Sequence, residues 1–216
     1  TSCSIDITGL TNPSAKVDAD NTAITAEVTA SSLVLCNDKG EVLEGDNEVE
    51  DTAFFIHSRI HMGAPHAICV LHTHMPYATS ITLLKEGRLE MIEQNALMFD
   101  GRISYDDDYE GLALAEDEGN RLARKIGNKS ILFMASHGVV VAGATVADAF
   151  NDLYYLERAA MFQVLAKSQG KPLRGISDRV RKETRKQFVT EAPKLADRHF
   201  SALRRVLDNA EPTYRH

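Results

Sequence analysis

The sequence predicts a single α/β domain with a mixed or antiparallel sheet. Three observations point there. Short apolar runs, Ala67 to Leu71, Ile131 to Met134 and Val139 to Val141, have the length of buried strands rather than helices. Other segments carry apolar residues at helical spacing, as in Phe54, Phe55, Ile56 and Ile60, or in Val146, Ala149, Phe150, Leu153, Leu156, Ala160 and Val164. The two kinds of segment are interspersed without a regular βαβ rhythm, which argues against an all-parallel sheet.

Taken in order, the first thirty residues are the least informative, with a turn at Thr11-Asn12-Pro13-Ser14. Ser32 to Cys36 reads as a strand. Asn37-Asp38-Lys39-Gly40 reads as a tight hairpin turn into Glu41-Val42-Leu43. Asp51 or Thr52 can cap a helix that runs to about Met62 and stops at Gly63 and Pro65. The strand ending in His72 follows, then a short helix from Pro76 to about Leu84 and a turn at Lys85-Glu86-Gly87. Residues 89–104 read as mixed strand and loop, and Asp106-Asp107-Asp108 as an acidic, solvated loop together with Tyr105. Leu112 to Ile126 reads as a helix ended by Gly127. A strand from Ile131 to Met134 runs into Ser136-His137-Gly138, and Val139 resumes as strand. Thr145, with Asp148 three residues on, resembles a capping box that opens a helix to about Ser168, closed by Gly170 and Pro172. The expected organisation is one domain over residues 1–216, with 177–216 as a charged, helical C-terminal extension.

The bulk numbers exclude several function classes. The chain has 216 residues, 44% of them hydrophobic and 25% charged, with a formal net charge of −7. That balance opposes nonspecific nucleic-acid binding and anionic membrane surfaces. No apolar run approaches the roughly 18–20 residues that span a bilayer. No basic start followed by an apolar stretch suggests a secretory signal. Cys3, Cys36 and Cys69 are odd in number and widely spaced, which fits a reducing cytoplasm better than a disulfide framework.

The chemistry concentrates in Val70-Leu71-His72-Thr73-His74-Met75-Pro76-Tyr77. Strand side chains alternate faces, so His72 and His74 point the same way, about 7 Å apart along the backbone. Two neutral imidazoles on one face can share a metal ion. The competing reading is two histidines satisfied by hydrogen bonds at a strand end. His137 stands at the end of another apolar strand, and Gly138 beside it removes a side chain next to the site. Three histidines are a common open metal set. His57 and His61 lie four apart on one helix face, but Ser58 replaces the glutamate of the H-E-x-x-H metalloprotease motif, so the pair reads as structural. His66 lies in a turn with no obvious partner.

Several separated motifs together resemble the class II aldolase/adducin family. They are His72-Thr73-His74-Met75-Pro76-Tyr77-Ala78-Thr79, Gln94-Asn95-Ala96-Leu97, Tyr105-Asp106-Asp107, Ser136-His137-Gly138 and Asp152-Leu153-Tyr154-Tyr155-Leu156-Glu157-Arg158-Ala159. The resemblance covers roughly residues 30 to 170. It implies a three-layer α/β/α sandwich around a mostly antiparallel central sheet, and a homotetramer with active sites near subunit interfaces. It implies a divalent ion, zinc or manganese, on the positions matching His72, His74 and His137. It further implies a lyase that cleaves a C–C bond of a small oxygenated acid or sugar-derived substrate through a stabilised enolate, as aldolase, epimerase or decarboxylase. A non-catalytic, adducin-like interaction protein is the alternative within the same family.

Two departures narrow this. The aldolases of the family carry a glutamate as general acid/base at the start of the helix before H-x-H. The matching position here is Ala53, with Glu50 and Asp51 displaced by two or three positions. Alanine moves no proton, which counts against standard aldolase chemistry and toward the non-catalytic alternative or a changed reaction; a decarboxylase needs no base to start, since the carboxylate leaves as carbon dioxide. The enolate still needs a proton donor, for which water or a tyrosine suffices. The sugar-phosphate members also carry G-N-x-S and T-x-S-G segments that hold phosphate. Asn12-Pro13-Ser14 and Ala30-Ser31-Ser32 match them poorly, so a phosphorylated substrate is not expected if the chain is complete. Gln94 and Asn95 would bind substrate or fix a loop. Tyr214 would act from a tail reaching a neighbouring subunit's site, Glu157 would pair with Arg158 or a neighbour, and Tyr77 would pack.

Overall fold

A computed structural model describes residues 29–216. Cys3 and the turn expected at Thr11 to Ser14, with its weak phosphate-loop match, lie outside the described residues. The centre is a four-stranded sheet of β3 (Cys69–Thr73), β6 (Gly138–Gly143), β5 (Ile131–Met134) and β4 (Ile103–Asp106), in that spatial order. β3–β6 and β5–β6 are antiparallel and β4–β5 is parallel, so the sheet is mixed with antiparallel pairings in the majority.

The alternation of strand side chains builds two cores, one on each face. Cys69, Leu71, Ile131, Phe133, Val139 and Val141 face one way and pack with Ala78 and Ile81 of α2 (Pro76–Thr82) and Leu153 and Leu156 of α4 (Val146–Lys167). Val70, Leu132, Met134, Val140 and Ala142 face the other way. They pack with Ile56 and Ile60 of α1 (Asp51–Gly63) and Leu122, Ala123 and Ile126 of α3 (Glu116–Ile126). The result is the α/β/α sandwich, with helices over both sheet faces. Gly119 lets α1 and α3 approach closely, because a Cβ there would lie 2.3 Å from the Phe55 carbonyl.

The remaining elements follow local chemistry. β1 (Leu35–Cys36) and β2 (Val42–Glu44) form the expected hairpin, whose turn is held by the Asn37 side chain accepting from the N–H of Lys39 and of Glu41. The expected strand from Ser32 shortens, since Ala30–Ser32 is a 3-10 turn closed by a Thr29–Ser32 capping box. The cap of α1 is Glu50 rather than Asp51 or Thr52: its carboxylate accepts from the Ala53 N–H at 2.7 Å. α3 begins at Glu116, not Leu112, where Glu116, Asp117 and Glu118 place negative charge on the positive helix end.

The acidic loop expected at Asp106 is corrected. Asp106 ends β4 and is 2% exposed, paired with Arg121 and Lys125 one helical turn apart on α3. Tyr105 is not solvated either; its hydroxyl accepts from the Leu89 N–H and its ring lies 5.4 Å from that of Phe133. α5 (Asp178–Ala210) fills the charged C-terminal region. It is tied to the body by Arg181 on Asp100, by His199 on Asn151 and by Phe200 against Phe150. No helix among the described residues is long and apolar enough to cross a membrane.

Candidate metal centre

His72 lies on β3 with its side chain on the α1 side of the sheet, two residues after Val70. His74 follows the end of the strand, and His137 lies in the turn between β5 and β6. That turn is tight. Ser136 takes a left-handed φ of 55°, and its N–H donates to the Thr82 carbonyl while that of His137 donates to Met134. The chain is thereby reversed with His137 directed back toward β3.

The three imidazoles converge. Their ring centroids are 4.8 to 5.0 Å apart, and one ligand atom from each lies within 4.8 Å of the others. His72 Nδ1 lies 3.0 Å from the Val139 carbonyl. A carbonyl only accepts, so Nδ1 carries the proton and Nε2 presents a lone pair. That nitrogen lies 3.2 Å from Nε2 of His74. A second partner that fixes the tautomer is the usual arrangement behind a metal-bound histidine. His72 is buried, His137 half-buried and His74 exposed, so the cluster opens to solvent on one side.

Electrostatics keep the set neutral. Burial pushes the His72 imidazole down to about 3, helped by the neighbouring His137, His74 and His57 and opposed by its bond to Val139. Burial and His74 push His137 down to about 4, against the pull of Glu118. Burial lowers His74 as well. Three neutral nitrogen donors, close together and open on one side, fit a divalent cation that keeps free positions. When bound, such an ion would be held by His72, His74 and His137.

Gly138 is what lets the turn close over β3. A Cβ there would lie 2.5 Å from the Thr73 carbonyl and 2.7 Å from His74 Cδ2. The backbone oxygen cannot yield. Gly138→Ala is therefore expected to lower stability by about 1–3 kcal/mol and to displace His74. A thermal melt together with the metal content of the purified variant checks both effects.

The other expected residues are placed differently. Gln94 is exposed and Asn95 half-buried, in a loop where Glu93 accepts from the Asn95 N–H. Tyr214 donates to Asp208 near the end of the chain. Among the described residues, no hydrogen bond or ring contact joins Gln94, Asn95 or Tyr214 to the histidines. Ala53 is buried at the start of α1. Nearby Glu50 is occupied as the helix cap. Burial raises its carboxyl, but bonds from the Thr52 hydroxyl and the Ala53 and Thr52 N–H groups outweigh that and hold it low.

His61 bonds the Ala67 carbonyl, a structural role as expected, and His66 finds a partner in the Lys129 carbonyl. Glu157 does not pair with Arg158, which stacks on Tyr154 and Phe162; it binds the N–H groups of Tyr77 and Ala78. Tyr77 packs against the core as expected. Two neighbours of the cluster went unforeseen. Buried His57 influences His72, and the Tyr109 ring lies 6.5 Å from that of His137. Nothing in the spacing of Tyr109 signals this, because the long β4–α3 connection brings it back to the site.

A family model described as "Class II Aldolase and Adducin N-terminal domain" matches residues 8–164. The chain belongs to this family. Class II aldolases use a divalent metal, and the histidine cluster could bind one. A crystal structure of an aldolase II superfamily protein from Pseudomonas syringae superposes with a TM-score of 0.81 at 31% identity, over 88% of this chain and 76% of that one. Human beta-adducin is 32% identical over 214 residues, spanning 88% of this chain but 29% of the adducin. Decarboxylase NovR of Streptomyces niveus is 31% identical over 146 residues, or 67% of this chain and 54% of NovR.

Proposed function

We propose that this chain is a divalent-metal-dependent carbon–carbon lyase of the decarboxylase type, acting on a small oxygenated acid or sugar-derived acid. The observation that carries the reading is the convergence of His72, His74 and His137, with one ligand atom of each within 4.8 Å of the others. When bound, the ion supplies a Lewis acid that stabilises the enolate left by C–C cleavage.

The chain's own residues set which cleavage is accessible. An aldol cleavage must first remove a hydroxyl proton, and Ala53 provides no base where the family's aldolases have one. In decarboxylation the carboxylate leaves as carbon dioxide and its bonding pair becomes the enolate, so no base is needed. The enolate carbon then takes a proton. Tyr109, whose ring approaches His137 and which is exposed to solvent, is the side chain placed to deliver it. The kinship with Decarboxylase NovR supports the same choice.

The reading extends to zinc, with manganese as the alternative, to a homotetramer and to the cytoplasm. Family kinship supports the first two, and the odd number and wide spacing of Cys3, Cys36 and Cys69 support the last. It also extends to a single domain over 1–216.

The test is a screen of the chelated and the metal-loaded protein against 3-oxo acids and sugar phosphates. Release of carbon dioxide from a 3-oxo acid, lost on chelation and restored by zinc or manganese, is the expected outcome. Cleavage of a sugar phosphate at an ordinary enzymatic rate would refute the argument from Ala53. A second reading, a non-catalytic interaction module, is favoured by Ala53 together with the kinship to beta-adducin. It predicts stoichiometric metal with no turnover of either substrate class.

A further inference from the structure

We propose that Glu157 is a positioning residue for the metal centre, reaching from α4 to fix the backbone that aims His74. The proposal rests on the reading that His72, His74 and His137 hold a metal ion. α2 starts immediately after the H-x-H segment, with Met75 as its cap and Pro76 at its first position. Met75 offers no side-chain cap, so the first free N–H groups of the helix need an outside acceptor. Both find it in one carboxylate. The Tyr77 N–H donates to Glu157 Oε1 at 2.9 Å and the Ala78 N–H to Oε2 at 2.8 Å. The partners are 80 and 79 residues apart in sequence. Glu157 is half-buried and Ala78 fully buried, so water does not readily replace the bond at that end.

His74 depends on this arrangement more than its two partners do. His72 is locked by the Val139 carbonyl and by its place inside β3. His137 is locked by a tight turn with its own N–H bonded to Met134. His74 lies beyond the last sheet pair, Thr73 with Val139, and among the described residues its ring has the His72 nitrogen as its one hydrogen-bond partner. Its direction is therefore set by the backbone on either side. Before it, Gly138 packs against the ring and the Thr73 carbonyl. After it, three residues on, the carboxylate of Glu157 pins the first turn of α2. Losing that clamp lets α2 shift along α4 and swings His74 out of the cluster.

The experiment compares wild type, Glu157→Gln, Glu157→Ala and Thr145→Ala. Three quantities are read: zinc affinity by chelator competition, the visible spectrum of the cobalt-loaded protein, and the melting temperature. Glutamine keeps the shape but can accept only one of the two N–H groups. Zinc affinity should fall about 10-fold in Glu157→Gln and up to about 100-fold in Glu157→Ala, the range for residues that orient metal ligands. The cobalt spectrum should change in both. Thr145→Ala loosens the start of α4, where the Thr145 hydroxyl accepts from the Asp148 N–H, about three turns before Glu157. It should melt lower while keeping wild-type affinity and spectrum. If both Glu157 variants melt lower yet bind zinc and cobalt as wild type does, Glu157 is only a strut and the proposal fails while the metal reading stands. If wild type itself binds neither ion, both fail together.

Discussion

His74→Ala is expected to lose more than about 100-fold in affinity for a divalent ion while keeping its fold. The two halves of that expectation come from different observations. The imidazole is one of three whose ligand atoms lie within 4.8 Å of one another, so its loss leaves a two-histidine set. A change in a residue that merely orients a ligand costs about 10–100-fold, and removing the ligand should exceed that, or more than about 3 kcal/mol. The side chain is also exposed and, among the described residues, bonded only to His72, so truncation opens no core cavity. His72→Ala should lose metal to the same degree. It should also melt lower, because it empties a buried site and leaves the Val139 carbonyl without its donor. Metal content by mass spectrometry, with circular dichroism on the same samples, separates the two variants. Wild-type metal content in His74→Ala would remove the three-histidine centre from the account.

How much of this was legible in the sequence depends on the distance over which each contact acts. The strands holding the site could be read from Ala67 to Leu71, Ile131 to Met134 and Val139 to Val141, because a buried strand is an apolar run whatever it packs against. The shared face of His72 and His74 followed from strand alternation alone. His137 could be added because a histidine before glycine at a strand end stands out, and the sheet does bring it to the pair.

What the sequence hid was long-range. Asp106 looked like one of three solvated aspartates, since nothing local announces that Arg121 and Lys125 will cover it from α3. Glu157 looked paired with Arg158 or another neighbour on its own helix. Adjacent helix residues point in different directions, however, and the free N–H groups of α2 lay on the glutamate's side. Tyr109 reached the site through a loop with no periodicity to read. Ala53 was legible as a departure, and the structure adds that Glu50 beside it is committed to capping α1.

Acid should destabilise the metal-free protein well before it impairs metal capture by the folded one. His72 titrates at about 3 in the fold against an ordinary value of 6.5, because it is buried among other histidines. The direction follows from proton binding. Above pH 6.5 the imidazole is neutral whether the chain is folded or unfolded, and stability does not depend on it. Between pH 6.5 and about 3 the unfolded chain takes up a proton that the folded chain refuses, so stability falls as the pH falls. The slope approaches about 1.4 kcal/mol per pH unit from His72 alone. His137, held down to about 4 but nearer to solvent, adds a smaller share in the same direction. Over two pH units this removes a sizeable part of the roughly 5–15 kcal/mol that holds a domain together. Metal affinity of the folded chain should behave differently. Ligands must be deprotonated to bind, and His72 and His137 are already neutral at pH 5 in the fold, so affinity should drop less between pH 7 and 5 than for histidines titrating at 6.5. Urea unfolding of the chelated protein from pH 7 to 5, beside zinc titrations over the same range, measures both curves. His72→Leu should flatten the first. A metal-free stability that holds level from pH 7 to 5 would mean that His72 is not buried as a neutral base.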